Sequence, residues 1–271
     1  MEKLLFLFCA ERGVNHYDFF PHRFGCFSVL SYLDKRVLAQ QGYLINTDEF
    51  TLRRGKSLLK QLHEDDRAFL RAFAERTRNL RSDALVRHTY VKYPHYACRS
   101  EITSRILTAD ERKAIEALQA NSYEQCIFTI GYEGLTIDAY INKLITHSVT
   151  LVVDVRRNPL SKKYGFSKTL FKSYLDKARI SYEHIPELGI ASSQRHNLDT
   201  QEDYNRLFER YAETALPLCD AELARISRML NTYRRVALTC FEAEAASCHR
   251  HKITERMSQS KHWNCPIVHI Q

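Results

Sequence analysis

Apolar positions in this chain recur at helical spacing up to about residue 120, and from Cys126 onward short unbroken apolar runs alternate with helical segments. In the first half, residues 2–12 read as a helix stopped by Gly13. Residues 28–41 read as a second helix, with Val29, Leu30, Leu33, Val37 and Leu38 on one face, Asp34, Lys35, Arg36, Gln40 and Gln41 on the other, and Gly42 past its end. Tyr43-Leu-Ile45 and Phe50-Thr-Leu52 flank the polar bend Asn46-Thr-Asp-Glu49 and lead into Arg53-Arg54-Gly55-Lys56. Helix, helix and a short hairpin with a basic edge form the outline of a winged helix, so residues 1–107 are expected to make a helical, winged-helix-like domain. Residues 63–80 and 83–92 read as helices that complete it. Thr108-Ala-Asp-Glu111 reads as a capping box opening a helix to Gln119, which makes 108–122 a helical linker.

The second half predicts a strand over 126–130, a Gly131-Tyr-Glu-Gly134 turn, a helix over 136–147 and a buried strand from Val149 to Val155. A helix over 167–178, a strand over 180–185, a long helix over 201–230, a strand over 235–241, a helix over 248–258 and a strand over 266–270 follow. This alternation predicts an α/β domain over 123–271, a mostly parallel sheet with helices on both faces.

Composition narrows the class. With 44% apolar and 27% charged residues, 8 Gly and 6 Pro in 271, the chain is a folded, helix-rich protein rather than a disordered one. The net charge of +8 favours anionic partners, nucleic acid or nucleotide first, with a protein partner as the other option. Eight cysteines with no Cys-x-x-Cys pair argue against a disulfide framework and for a reducing cytoplasm. No apolar stretch approaches the roughly 18–20 residues of a membrane span, and Leu4 to Ala10 lacks the flanks of an export signal.

In a parallel sheet, ligands bind outside the carboxyl ends of the strands. The candidate residues lie at those ends: Gly131 and Tyr132 after the first strand, Asp154, Arg156 and Arg157 after the second, Glu187 after the third, Cys240 and Glu242 after the fourth. Ser247 reads as the N-cap of the next helix, whose first turn, with Cys248, His249 and Arg250, would offer an anion site. Asp154, Cys240, Glu242 and His249 are the candidate acids, base and nucleophile; Gly131, Tyr132, Arg156, Arg157, Glu187, Cys248 and Arg250 are the candidate ligand contacts. The bland alternatives are an Asp154 pair with Arg156 or Arg157 and two cysteines that are merely small buried hydrophobes. Cys240, Cys248 and His249 supply zinc-ligating atoms, but adjacent helix positions point about 100° apart, and no fourth ligand is evident. No metal or other cofactor is therefore expected. In the first half, Lys35, Arg36 and Gln40 on the helix and Arg53, Arg54 and Lys56 on the hairpin edge are the candidate nucleic-acid contacts.

Two resemblances sharpen these expectations. Tyr17-Asp-Phe-Phe-Pro21-His-Arg-Phe-Gly25-Cys-Phe-Ser28, with the later Tyr93-Pro-His-Tyr-Ala-Cys98-Arg-Ser100, resembles the winged-helix-like Panacea-type domains related to the SocA antitoxin, with Cys26 at a position where those carry proline. Thr129-Ile-Gly-Tyr-Glu133, Val153-Asp-Val-Arg156-Arg-Asn-Pro159, Tyr182-Glu-His-Ile-Pro-Glu-Leu-Gly189 and Leu238-Thr-Cys240-Phe-Glu242 with Cys248-His249-Arg250 resemble, over about residues 124–270, the family called domain of unknown function 488. That resemblance implies an α/β sandwich and no settled activity. The combination looks like proteins of prokaryotic genome defence or toxin–antitoxin systems. The expected function is a winged-helix module joined to an α/β domain that binds, and as a hydrolase processes, a nucleotide or nucleic-acid phosphate or glycosidic group. The alternative is a non-enzymatic ligand-sensing DNA-binding regulator or an antitoxin-like partner-binding protein.

Overall fold

A computed structural model describes residues 1–46, 51–53, 58–117, 124–195, 198–260 and 263–271, and the chain divides into two compact units, Met1–Gln119 and Ala120–Gln271. In the first unit α1 (Glu2–Arg12) ends at Gly13, whose φ of 72° is a left-handed cap that glycine adopts without strain. A hairpin of β1 (Phe20–His22) and β2 (Gly25–Phe27) follows, then α2 (Val29–Gln40), capped by the Ser28 side chain, which accepts from the Ser31 N–H. A second antiparallel pair, β3 (Leu44–Asn46) and β4 (Thr51–Leu52), precedes α3 (Glu64–Arg76), α4 (Ser82–Lys92), α5 (Thr103–Ile106) and α6 (Ala109–Ala117). Phe6, Leu7, Phe19, Phe73 and Leu85 form the core between α1, α3 and α4.

Three features of this unit bear on those expectations. The β1–β2 hairpin intervenes between the two helices that were to precede the wing. Helix α6, within the expected helical linker over 108–122, packs on the first unit, with Ile115 buried beside Tyr90, Ala97 and Ile106; its start has the reciprocal Thr108–Glu111 hydrogen bonds of a capping box. On α2 the buried residues are Val29 and Lys35, whereas Val37 is 38% exposed. Lys35, expected as a nucleic-acid contact on this helix, buries its stem and holds its ammonium 5.2 Å from the centre of the Tyr32 ring. Arg36, Gln40 and Arg53 are exposed; Arg54 and Lys56 lie outside the described residues.

The second unit is built on β5 (Cys126–Gly131), β6 (Leu151–Asp154), β7 (Ser181–His184), β8 (Arg235–Cys240) and β9 (Ile267–Ile270). They form one parallel sheet in the order β7-β6-β8-β5-β9. The connecting helices are α7 (Ile137–Thr146), α8 (Lys168–Lys177), α9 (Gln201–Arg210), α10 (Asp220–Tyr233) and α11 (His249–Ser258). Side chains alternate across a strand, and the two faces sort accordingly. Ile127, Leu151, Val153, Val236 and Leu238 pack with Leu207, Phe208, Leu223, Ile226, Ile253 and Met257 of α9, α10 and α11. The other face meets α7 and α8: Tyr140 donates to Thr239 Oγ1 at 2.7 Å, and the Phe171 ring meets Tyr182 edge-on.

The single long helix expected over 201–230 is broken. After α9 the chain widens into a π-turn over Tyr211–Ala215 and tightens into a 3₁₀ turn over Leu216–Cys219 before α10 begins. Pro217 lacks the N–H that would continue the ladder and crowds the preceding turn, so the helix cannot run through it.

Helix α7 starts at Thr136, whose side chain accepts from the Ala139 N–H at 3.0 Å, ahead of a wholly buried stripe of Ile137, Tyr140, Ile141 and Leu144. Thr136→Ala is expected to cost the second unit about 1 kcal/mol. Urea unfolding followed by the fluorescence of Trp263, the chain's one tryptophan, measures it.

Candidate functional site

The strand-to-helix junction after β8 gathers four reactive side chains. Cys240 is the last residue of β8, at the register position of Gly131 at the end of β5. Glu242 stands two residues on. The helix N-cap is Cys248 rather than Ser247, in an extended conformation with φ −144° and ψ 141°, and α11 begins at His249. Cys248 therefore lies off the helical spiral, and the expected divergence of about 100° from His249 does not arise. Both side chains turn to the same point: His249 Nδ1 is 3.7 Å from Cys240 Sγ and 3.7 Å from Cys248 Sγ. The three donor atoms all lie within 4.8 Å of one another. Cys240 Sγ is also 3.2 Å from Glu242 Oε2, and Arg195 reaches Glu242 Oε1 at 3.3 Å. Cys240, Cys248 and His249 are no more than 2% exposed, while Glu242 keeps an edge toward solvent.

His249 is held by its far side. Nε2 lies 3.1 Å from the Val155 carbonyl, an acceptor only, so Nε2 carries a proton and Nδ1 is the nitrogen that faces the two sulfurs. The Tyr211 ring stands edge-on to the imidazole at 5.8 Å, delivered by the π-turn, and its hydroxyl donates to the Leu188 carbonyl. Hydrogen bonding from Cys248 holds the Cys240 thiol well below its ordinary range against the opposing burial, with His249 and Glu242 adding to it. Burial and the hydrogen bond to Cys240 push Cys248 well above. Burial disfavours a charged His249, but the Cys240 sulfur outweighs it and the net shift is upward. Burial, then Cys240, raises Glu242.

Two buried features fix the loop that carries Glu242. Arg250, 1% exposed, donates through Nη1 to the Glu242 carbonyl at 2.6 Å and through Nη2 to the Ala243 carbonyl at 2.8 Å. Beneath it the backbone of 241–243 rests on the end of β5: Tyr132 N–H and Glu133 N–H both donate to the Phe241 carbonyl. A Cβ on Gly131 would overlap the Glu242 carbonyl and meet Ala243 Cα at 3.0 Å. Gly131 and Arg250, expected as ligand contacts, both meet the backbone of this loop. Gly131 is bare so that one backbone can lie on another, and the Arg250 guanidinium is aimed at that backbone.

The remaining candidates form a separate group. Asp154 pairs in register with Thr239, not Cys240, and so points to the α7–α8 face while Cys240 points to the α11 face. Asp154 is fully buried and accepts from the Arg156 N–H, from Arg156 Nε at 2.8 Å and Nη2 at 2.6 Å, and from the Tyr182 hydroxyl at 2.8 Å. Arg156 Nη1 donates to Tyr132 Oη and the Phe166 carbonyl. Burial lowers the pKa of Arg156, but Asp154 outweighs it and holds the group above its ordinary value. The candidates expected at the carboxyl ends of the strands thus form two clusters on opposite faces of one sheet, because the pleat sends neighbouring register positions opposite ways. Arg156 and Tyr132 belong to the Asp154 cluster as structural partners. Arg157 is exposed and donates to the Pro186 carbonyl, and Glu187 is exposed. A hollow of about 720 Å³ opens near the amino ends of the strands, lined by Gln125, Asp220, Arg228, Arg256 and Trp263 among others, and shares no residue with either cluster.

Sequence reasoning missed Arg195, Tyr211 and Tyr182. Tyr182 lay in a motif block; Pro217 was the sign of the helix break that aims Tyr211; nothing in the sequence singles out Arg195.

The fold and site define a parallel α/β domain with a buried thiol–imidazole cluster at its carboxyl rim. Residues 136–257 match the family described as Domain of unknown function DUF488. The matched span lies within the second unit and is shorter than the expected 124–270, since the Thr129–Glu133 block precedes it. No curated protein and no solved structure matches the chain. No described helix is long and apolar enough to cross a membrane.

Removing the Asp154 charge strands a buried guanidinium. Asp154→Asn is expected to cost about 3–5 kcal/mol, read from the Trp263 unfolding curve. Gly131→Ala is expected to cost at least the ~1–3 kcal/mol of ordinary overpacking, because the obstacle is backbone and cannot rotate away; the same curve checks it.

Proposed function

We propose that the second unit is a hydrolytic enzyme whose chemistry is centred on Cys240, Glu242 and His249, acting on a phosphate or glycosidic group of a nucleotide or nucleic acid. The observation that carries this reading is the convergence of Cys240, Cys248 and His249 on one point at the carboxyl end of the central strand, with the Glu242 carboxylate against the Cys240 sulfur. Packing alone has no use for two thiols, an imidazole and a carboxylate in mutual contact, and the carboxyl end is where parallel sheets present ligand sites. Glu242 is the group placed to exchange protons with a substrate, because it touches the buried cluster on one side and solvent on the other. The anionic substrate class rests on the net charge of +8 and on the cationic groups Arg157 and Arg195 left partly exposed beyond the strands. Asp154 and Arg156 are supports in this proposal, not reactants. For the first unit we propose a winged-helix-like module that docks nucleic acid or protein through the exposed Arg36, Gln40 and Arg53.

The test is incubation of the full chain with a panel of nucleotides, nucleosides and single-stranded oligonucleotides, with products read by mass spectrometry. Wild type is expected to convert one class, and Glu242→Gln to lower its kcat/KM by about 10²–10⁴-fold while leaving binding in place. Full activity in Glu242→Gln removes the assignment. A nucleotide bound tightly and recovered unchanged from wild type would favour a ligand-sensing regulator instead.

A further inference from the structure

We propose that Cys240, Cys248 and His249 form a binding site for a zinc-type divalent cation, with Glu242 beside the fourth position. This inference rests on the reading of these side chains given under the proposed function and adds the ion they would hold. Zinc binds thiolate at about 2.3 Å and imidazole nitrogen at about 2.0–2.1 Å in a tetrahedron, which sets sulfur–nitrogen separations near 3.6 Å. Both sulfur–nitrogen distances here are 3.7 Å. The third separation, between the sulfurs, falls within the 4.8 Å that spans the set.

Three further features fit an ion better than bare thiols. His249 turns Nδ1 inward because Nε2 is tied to the Val155 carbonyl, and a ligating histidine characteristically anchors its other nitrogen in this way. Two thiolates and a neutral imidazole bring a charge that a divalent cation cancels, so the filled site is neutral where burial demands it. Soft sulfur donors select zinc-type ions over magnesium or calcium. The ligands are also set in rigid places: the last residue of β8, the N-cap of α11 and its first residue.

With three protein ligands the fourth position is open, the arrangement of catalytic rather than structural zinc. Glu242 Oε2, 3.2 Å from Cys240 Sγ, lies at the side of the cluster nearest solvent. A water held there would give one proton to the Glu242 carboxylate as its oxygen bonds to the phosphorus or glycosidic carbon of the proposed substrate; the bond from that atom to the leaving group would break, and Glu242 would return the proton to the departing atom. No oxidant or reductant is consumed.

The test uses the full chain, reduced and freed of metal by a chelator, then titrated with cobalt(II). Wild type is expected to take up one equivalent with a sulfur-to-cobalt band in the near ultraviolet and the strong visible bands of a tetrahedral ion, all abolished by zinc. Cys248→Ser and His249→Ala are expected to weaken cobalt binding by at least ~100-fold, and Cys98→Ser, whose thiol lies in the first unit, to leave it unchanged. Glu242→Gln is expected to keep the cobalt spectrum even where turnover is lost, which separates failure of this site from failure of the proposed reaction. Absence of a stoichiometric sulfur band in reduced wild type overturns the proposal whether or not the variants fold. A spectrum that survives Cys248→Ser overturns it too, as does wild type isolated two hydrogens lighter with a Cys240–Cys248 disulfide.

Discussion

A guanidinium taken out of water must be given acceptors, and the carboxyl rim of this sheet is shaped around two of them. Arg250 sits under the loop after β8 and draws the Glu242 and Ala243 carbonyls down onto it. Arg156 sits on the other face and is enclosed by Asp154, Tyr132 and the Phe166 carbonyl. Arg156 has the Asp154 carboxylate as its counter-charge, whereas Arg250 is met by carbonyl dipoles and its Nε is buried without a partner among the described residues. Each therefore dictates where a loop must lie, and the reactive side chains are positioned as a consequence. Arg156 and Arg250, which look like anion ligands in a linear sequence, are internal scaffolding of the rim, while Arg157 stays exposed.

The register of the sheet explains why the rim divides. Successive strand residues face opposite ways, so the pairing of Asp154 with Thr239 and of Gly131 with Cys240 decides which face each chemistry occupies. A slip of one residue in β8 would bring Cys240 to the Asp154 side and dissolve both groups. The buried Tyr140–Thr239 hydrogen bond on one face and the Val236 and Leu238 packing on the other make that slip costly. Register, a property of the whole sheet, is thus a condition for the site.

Much of the second unit was legible because its signals are local. Unbroken apolar runs marked β5 and β6, and the strand–helix alternation marked a parallel sheet, since a strand buried on both faces has no polar side to show. What was not legible depends on partners far away. Lys35 has the look of a surface cation on α2, and only its fold neighbours bury it. Cys248 and His249 read as consecutive helical residues, and a shift of one position in the N-cap from Ser247 to Cys248 reverses the conclusion about whether they converge. Helix boundaries are the least secure part of any reading from pattern, and here one boundary carried the chemistry. The break before Pro217 is of the same kind: a periodic apolar stripe concealed the turn that turns Tyr211 toward His249.

The placement of the cluster also follows from how a strand hands over to a helix. Cys240 closes β8, where the backbone is still locked in the ladder, and His249 opens α11, where the helix ladder begins to lock it again. Between them the chain is free of either ladder and would wander, were it not pinned to Gly131 from below and to Arg250 from within. The donors with the tightest geometry are thus the ones on rigid elements, and Glu242, on the segment between, keeps the one edge exposed to solvent. A reactive centre needs both properties: fixed groups that hold charge at a defined point, and one group that can exchange a proton with whatever approaches. Had Glu242 been placed on β8 itself it would have been buried like Cys240; had Cys248 followed the helical spiral it would have turned from the cluster. The junction supplies rigid and accessible positions within ten residues of sequence, and this is why so much chemistry can stand so close together beside a second cluster, Asp154 with Arg156, that is occupied with holding the sheet.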